Sequence, residues 1–537
     1  MKVNLSSLKE RDAWQSLGVK LPVFDVEAMR KATKEAPIWV HFGAGNIFRA
    51  FIAALQQRLL DEGRSDRGIV AADTFDVDNI RMIYGGYDNL TMSVTLNADA
   101  TMDKEIIASV SEALVAQPAE AEDYARLQEI FAAPSLQIVS FTITEKGYAL
   151  RGLNGEYLPV VSADMSGGPA APRHAMSIVA ALLLHRYNTC KAPLAVVSMD
   201  NCSHNGEKLR ASVLEVAEAW KNRALVPAGF VEWISDETQV SFPWSMIDKI
   251  TPRPALAVEK MLAEAGIENM APMRTPRDTF VAPFVNAERP QYLVIEDRFP
   301  NGRPPLEMAG VYFTDRETVN KTERMKVTTC LNPLHTALAV YGCLLGYTLI
   351  CDEMKDADLV RLVKRLGYVE GLPVVTDPGI LSPRAFIDEV VEQRLPNPFM
   401  PDAPQRIATD TSQKVGIRFG ETIKSYAEEG RSFDDLIALP MAIAGWLRYL
   451  IGVDDEGRPM ELSPDPMLEQ LRAQLANITL GDPDSSRGKL APILKNKVIF
   501  GSDLTQTPLA ARIEEYFRSE LESPGAVRRT LSRCIPE

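Results

Sequence analysis

Ile38-Trp-Val-His-Phe42-Gly43-Ala-Gly45-Asn-Ile-Phe48-Arg49-Ala-Phe-Ile-Ala-Ala-Leu55 reads as a short apolar strand, a tight glycine turn and an amphipathic helix. That layout turns backbone N–H groups and a helix N-terminus towards an anion, as in loops that hold a dinucleotide pyrophosphate. Gly43 allows the turn, and Gly45 lets phosphate approach the backbone. A full fingerprint carries a third glycine at position 48, where this chain has Phe48. An ordinary strand-to-helix loop therefore stays open as the plainer reading.

Outward from this stretch, Gly68-Ile-Val-Ala-Ala-Asp73 is a second strand ending in an acid. A carboxylate there accepts hydrogen bonds from an adenosine ribose and repels a 2′-phosphate, so Asp73 favours NAD, with NADP possible. Asp73 or Asp76 could instead cap the next helix. Residues 89–96 alternate as a strand, and 103–120 read as a mixed connector. Leu136–Thr144 is a β-branched strand that places Thr144 and Glu145 at a carboxyl end, where open α/β sheets bind ligands. Ala192–Met199 is another buried strand, followed by Asp200-Asn201-Cys-Ser-His204-Asn205-Gly206. Either Asn201 points its amide into the ligand crevice, or Asp200 and Asn205 only cap the next helix. Asp248 lies in a proline-pinned segment, where it positions a ligand or pairs with Lys249 or Arg253. Residues 1–36 read as a polar, helical arm or cover.

After the Pro/Gly-rich passage Phe299–Pro305 the pattern becomes helical, with helices expected over 356–366, 382–393, 419–429 and 434–449. The chain is thus α/β, with an N-terminal Rossmann-like domain over residues 1–316 and a mainly α-helical C-terminal domain over 317–537. Residues 452–486 are rich in turns and read as peripheral. Glu323-Arg-Met-Lys326-Val-Thr-Thr-Cys-Leu-Asn332-Pro333-Leu-His335 places a lysine, an amide and an imidazole ahead of an apolar run. A lysine drawn into low dielectric loses ammonium solvation and becomes a base near neutral pH, while Asn332 and His335 can donate to a developing alkoxide. Taken singly, each of these residues is more often a solvated surface group. Arg406 and Lys414, eight residues apart, converge on a hydroxyl or carboxylate only if the backbone turns between them.

Composition narrows the classes. A chain of 537 residues exceeds one core, and a formal charge of −14 argues against nucleic acid or an anionic membrane as partner. Six cysteines without a Cys-x-x-Cys pair suit a reducing compartment, and the N-terminus lacks the apolar core of a signal peptide, so a cytoplasmic location is expected. The apolar run from Leu334 to Cys351 is interrupted by polar residues and reads as a buried helix rather than a membrane span. No metal-ligand motif is present, so no metal is expected.

In this order, Gly43-x-Gly45-x-x-x-Arg49, Thr144-Glu145-Lys-Gly-Tyr148, Asp200-Asn201 with His204-Asn205-Gly206, Asp248-Lys-Ile-Thr-Pro252, the Lys326 stretch and Arg406 with Lys414 resemble the polyol-specific long-chain dehydrogenases. The likeness spans roughly residues 43–418. It implies a metal-independent, NAD(P)-linked secondary-alcohol dehydrogenase, a monomer or small homo-oligomer, with its site in the cleft between the two domains and a small sugar acid or polyol as substrate. It implies Lys326 as general base, Asn201 and Asn332 as oxyanion stabilisers, and Glu323 on a proton path. His335, Arg406, Lys414 and Asp248 become substrate holders, and Gly43, Gly45, Phe48, Arg49, Asp73, Thr144 and Glu145 line the cofactor. Wording around Asn332 departs from the mannitol type and favours a ketouronate–aldonate pair over fructose and mannitol. A non-catalytic nucleotide sensor is the alternative from another class. The family pattern spaces lysine and asparagine by four residues; here five intervene before Asn332. One extra residue rotates Lys326 by about 100° on an ideal helix, so a π-bulge or break is expected between Lys326 and Pro333.

Overall fold

The structure, a computed structural model, describes residues 1–276 and 278–536. The chain forms two compact units, residues 1–96 with 101–320, and residues 97–100 with 321–537. The division at 320/321 falls inside the helix Arg316–Met325, past the 316/317 boundary expected from the sequence. A continuous helix leaves no compositional break to mark it.

The first unit is organised by six strands: β1 Trp39–Phe42, β2 Ile69–Asp73, β3 Val110–Val115, β4 Ile138–Phe141, β5 Leu194–Ser198 and β6 Val240–Ser241. They pair in the order β3-β2-β1-β4-β5-β6, every pair parallel. This is the doubly wound order of dinucleotide-binding sheets, whose ligand crevice opens at the carboxyl ends of β1 and β4, where the winding reverses. Because side chains alternate along a strand, Val40 and Phe42 join one core with the helices Ala121–Ala132, Ala175–Thr189 and Asn205–Asn222. Trp39 and its neighbours Ile69, Ala71 and Ile138 face the opposite core, with Phe48, Phe51 and Leu55. Burial on both faces explains why these strands read as unbroken apolar runs.

One expectation changes here and another narrows. Residues 103–120 are not a connector: Met102–Ile107 pairs antiparallel with Thr91–Leu96, and β3 is an edge of the main sheet. The charged start Asp103-Lys-Glu105 hides that strand in the sequence. Of the two readings of residues 1–36 the packing favours a cover, since Trp14 is fully buried and Val19–Lys20 pairs with Lys104 and Glu105.

The second unit is helical around Asn332–Leu345, whose residues Leu334 and Thr336–Leu344 are all buried. The Tyr341 hydroxyl donates to the Met441 carbonyl at 2.8 Å and is hydrogen-bonded to Glu520 at 2.7 Å, tying that helix to Ala438–Tyr449 and Leu509–Glu520. The buried Glu370 carboxylate takes the N–H groups of Ile437, Ala438 and Leu439, the open donors at a helix start. Residues 452–486 are stitched to this core rather than peripheral: Arg448 donates to the Val453 and Asp454 carbonyls, and Asp455 takes the N–H groups of Val527 and Arg528. No helix among the described residues is long and apolar enough to cross a membrane.

Candidate active site

In the first unit the glycine turn leaves β1 at Gly43, whose φ of 95° favours glycine; an added Cβ would overlap the Thr142 carbonyl on the adjoining strand end. Around Gly45 a Cβ would meet nothing within 4 Å, so the loop presents open space at the place expected for phosphate. Ala44 is held at both ends, its N–H by Asp73 at 3.3 Å and its carbonyl by Asn79 at 3.0 Å and Tyr84 at 2.9 Å. The turn's first helical bond runs from Arg49 N to Gly45 O at 3.1 Å, which leaves the preceding N–H groups as donors for an anion. These residues fit a dinucleotide pyrophosphate.

The side chains of Phe48 and Arg49 also serve the loop itself. Phe48 is fully buried and stacks on His41 with ring centres 4.4 Å apart. Arg49 donates to the Ala282 carbonyl at 2.7 Å and to Asn46 at 2.8 Å. Asp73 accepts from Phe75 N at 2.8 Å and Asp76 N at 2.9 Å besides Ala44 N, which uses three of roughly four acceptor positions on a carboxylate. Burial, the largest influence on it, raises its pKa. Asp76 is the helix cap, taking Asn79 N at 3.2 Å, and it also accepts from Thr279.

Beyond β4, Thr144 adopts φ 67° and ψ 161°, a region that a β-branched residue enters only under constraint. The constraint is Asp200. Its carboxylate takes Ile143 N and Thr144 N, each at 2.9 Å, and the Tyr148 hydroxyl at 2.6 Å. Asp200 is therefore no helix cap; the helix Asn205–Asn222 starts after His204, and Asn205 instead donates to the Asp200 and Ser245 carbonyls, both at 3.0 Å. Glu145 is exposed and ion-paired with Lys208. Asn201 lies on the surface just after β5, and Asp248 is buried at the end of the strand Ser245–Asp248.

In the second unit the extra residue after Lys326 is absorbed by a π turn over Lys326–Cys330, closed by Leu331 N to Lys326 O at 3.1 Å. Leu331 then leaves helical geometry at φ −130°, and a new helix starts at Asn332 with Pro333 in its first turn, where a missing N–H costs nothing. Lys326 is 3 % exposed. Lys326 is thus largely withdrawn from bulk water. Glu323, half-buried, lies one turn earlier.

His335 lies 3.7 Å through Nε2 from Asp402, and this enclosed nitrogen makes no hydrogen bond in the structure. Burial lowers its pKa to about 4; Asp402 opposes that, while Arg418, Arg406 and Arg394 reinforce it. The ring is neutral at pH 7, with one donor and one acceptor nitrogen. Arg406 pairs with Asp402. The backbone between Arg406 and Lys414 does turn, through a left-handed Asp410 at φ 54°, and Lys414 donates to the Thr409 carbonyl at 2.5 Å. Burial first, then Arg418, pulls the Lys414 pKa down, and Arg406 adds to this. Asp402, Arg394 and Arg418 were absent from the expected set. Arg418 alone had a signal in the sequence, standing four residues after Lys414 in the same charged stretch.

A parallel sheet in dinucleotide-binding order, with a second unit that carries a buried lysine a few residues before an amide and a neutral imidazole, is the arrangement of a nucleotide-linked dehydrogenase. The chain belongs to the mannitol dehydrogenase family: residues 37–308 match the mannitol dehydrogenase Rossmann domain, and residues 318–519 match the mannitol dehydrogenase C-terminal domain. It is 52% identical to a D-mannonate oxidoreductase of Thermotoga maritima over 100% of this chain and 99% of that one. It is 30% identical to the Escherichia coli protein of the same name, over 87% of this chain and 89% of that one. Among solved structures it resembles a D-sorbitol dehydrogenase (TM-score 0.77, 26% identity, covering 97% of this chain and 98% of that one). It also resembles Pseudomonas fluorescens mannitol 2-dehydrogenase in complex with NAD and D-mannitol (TM-score 0.68, 28% identity, 99% of each chain).

Proposed function

We propose that this dehydrogenase interconverts a ketouronate, fructuronate, and its aldonate, D-mannonate, with NAD as cofactor. The observation that carries the substrate is the full-length likeness to a D-mannonate oxidoreductase at 52% identity. The buried lysine carries the chemistry. Bound NAD supplies the hydride acceptor for the oxidised carbinol carbon. The open N–H groups after Gly45 hold its pyrophosphate, and Asp73 stands at the ribose end of the loop.

In the oxidative direction the neutral Lys326 amine takes the hydroxyl proton as the carbinol C–H bond breaks, and in the reductive direction the Lys326 ammonium returns that proton to oxygen. Asn332 and Asn201 donate to this oxygen while negative charge gathers on it. Glu323, one turn before Lys326, passes the proton on towards solvent. His335, Arg406, Lys414 and Asp248 hold the remaining hydroxyl and carboxylate groups. The protein works in the cytoplasm as a monomer or small homo-oligomer; six cysteines without a disulfide among the described residues support the location.

A substrate panel tests this. NADH oxidation is expected with fructuronate and to be weaker with fructose or tagaturonate. Turnover of fructose without fructuronate would replace this reading with mannitol 2-dehydrogenase activity, which relatives at 30% identity from Aspergillus fumigatus carry by name.

A further inference from the structure

Two fully buried arginines of this chain spend their donors on backbone carbonyls. Arg186 donates to five backbone carbonyls, those of Phe131, Ala133, Leu136, Ala192 and Pro193. Arg448 donates to the carbonyls of Glu520, Val453 and Asp454. Arg418 differs. Its guanidinium makes a single hydrogen bond, from Nη1 to Thr336 Oγ1 at 2.5 Å, and no carboxylate lies within ion-pair distance of it among the described residues. A guanidinium carries five donors, so most of its capacity is unused.

Its position is fixed, not incidental. Arg418 sits in the π turn Gly416–Gly420, and a Cβ on either glycine would collide with the backbone of Ile499 or Phe500, so the turn lies flat against that chain. Thr336, which receives Arg418, passes its own proton to the Asn332 carbonyl at 2.8 Å. The guanidinium is thus registered to the helix that carries Asn332 and His335, and it acts electrostatically on both His335 and Lys414. Burial lowers its pKa only to about 10, so it remains a cation at neutral pH. Arg418 is only partly buried, so its unused donors stay open to an anion that arrives there.

We propose that Arg418 receives the carboxylate of the sugar-acid substrate and so selects a ketouronate against a neutral ketose of the same length. The inference rests on the ketouronate reading above and names the residue that would enforce it. A planar carboxylate matches the guanidinium fork through paired N–H donors, which a neutral hydroxymethyl group cannot replace.

The test compares wild type, Arg418→Met and Arg418→Lys in kcat/KM for fructuronate, fructose and fructose 6-phosphate, with unfolding temperature recorded for each. The expected result is a fall of about 100-fold in the fructuronate-to-fructose ratio for Arg418→Met, carried mainly by KM, with partial recovery in Arg418→Lys. Equal losses on both substrates, or an unchanged ratio, overturn the inference while leaving the ketouronate reading intact. Wild type that turns over fructose and not fructuronate removes that reading and the inference with it. A preference for fructose 6-phosphate in wild type replaces the carboxylate with a phosphate and also overturns it. If Arg418→Met fails to fold, Arg418→Lys alone decides, since the lost fork lowers the ratio while the charge and fold are kept.

Discussion

His41 in the first unit and His335 in the second are both kept neutral by burial, with pKa values lowered to about 3 and about 4, yet their nitrogens are used in opposite ways. His41 has both occupied: Nδ1 bonds Ser140 at 2.7 Å and Nε2 bonds Thr142 at 2.8 Å, and Thr142 passes its proton to the Gly43 carbonyl at 3.1 Å. Trp39 completes the chain on Ser140 at 2.7 Å. His335 leaves Nε2 without a hydrogen bond among the described residues, 3.7 Å from Asp402 and under the influence of several cations. A cofactor loop meets one unchanging ligand, so it is built closed and grips through backbone. A substrate pocket must be completed by what it binds, so its polar groups are left short of partners.

The largest expected effect falls on the incomplete side. Lys326→Met should lower kcat by roughly 10²–10⁴ while NADH binding persists, measured by steady-state kinetics and fluorescence titration. Unchanged turnover would make the buried lysine structural and revive the nucleotide-sensor alternative.

On the closed side, His41→Ala removes two buried hydrogen bonds and the ring beneath Phe48, and should destabilise by about 3 kcal/mol in urea unfolding, with a higher KM for NADH. Acid should find both histidines. Each has a folded pKa below its unfolded value near 6.5, so the unfolded chain binds more protons between the two. Stability is present above pH 6.5 and is lost as pH falls, towards about 4 for His335 and about 3 for His41, by up to about 3 kcal/mol for His335.

Glu353 works in the opposite sense. Both its carboxyl oxygens are buried against Gly342 without a hydrogen-bond partner among the described residues, and burial raises its pKa to about 9, with Asp356 adding to the rise. The folded state holds a proton there that the unfolded chain releases above pH 4.5, so stability falls as pH rises towards 9. Glu353→Gln should stabilise at pH 8 by about 2 kcal/mol and flatten that slope in thermal scans. The smallest structural effect belongs to Gly45→Ala, which should leave stability within about 0.5 kcal/mol, because the Cβ meets nothing, yet raise KM for NADH about tenfold. An unaltered KM would mean that phosphate does not approach at Gly45.

Much of this was legible because local rules carried it. Strands buried on both faces announced themselves as apolar runs at 38–42, 68–73, 136–144 and 192–199, and the glycine turn fixed the fold class. The count between Lys326 and Asn332 even required the π turn, since helical geometry leaves one residue nowhere else to go. Charged strands were harder: 102–107 looked like a connector because its first half faces outward.

By itself, then, the sequence determined the α/β class, the family motifs and the lysine-amide-imidazole set, all of which depend on spacing along the chain. Only the tertiary structure decided that Asp200 pins Thr144 instead of capping a helix, that Arg49 serves the loop, and that Asp402, Arg394 and Arg418 act electrostatically on His335. The reason is physical. Spacing sets which face a residue takes, but burial and the identity of a partner far along the chain set whether its charge is satisfied, displaced or left waiting for a ligand.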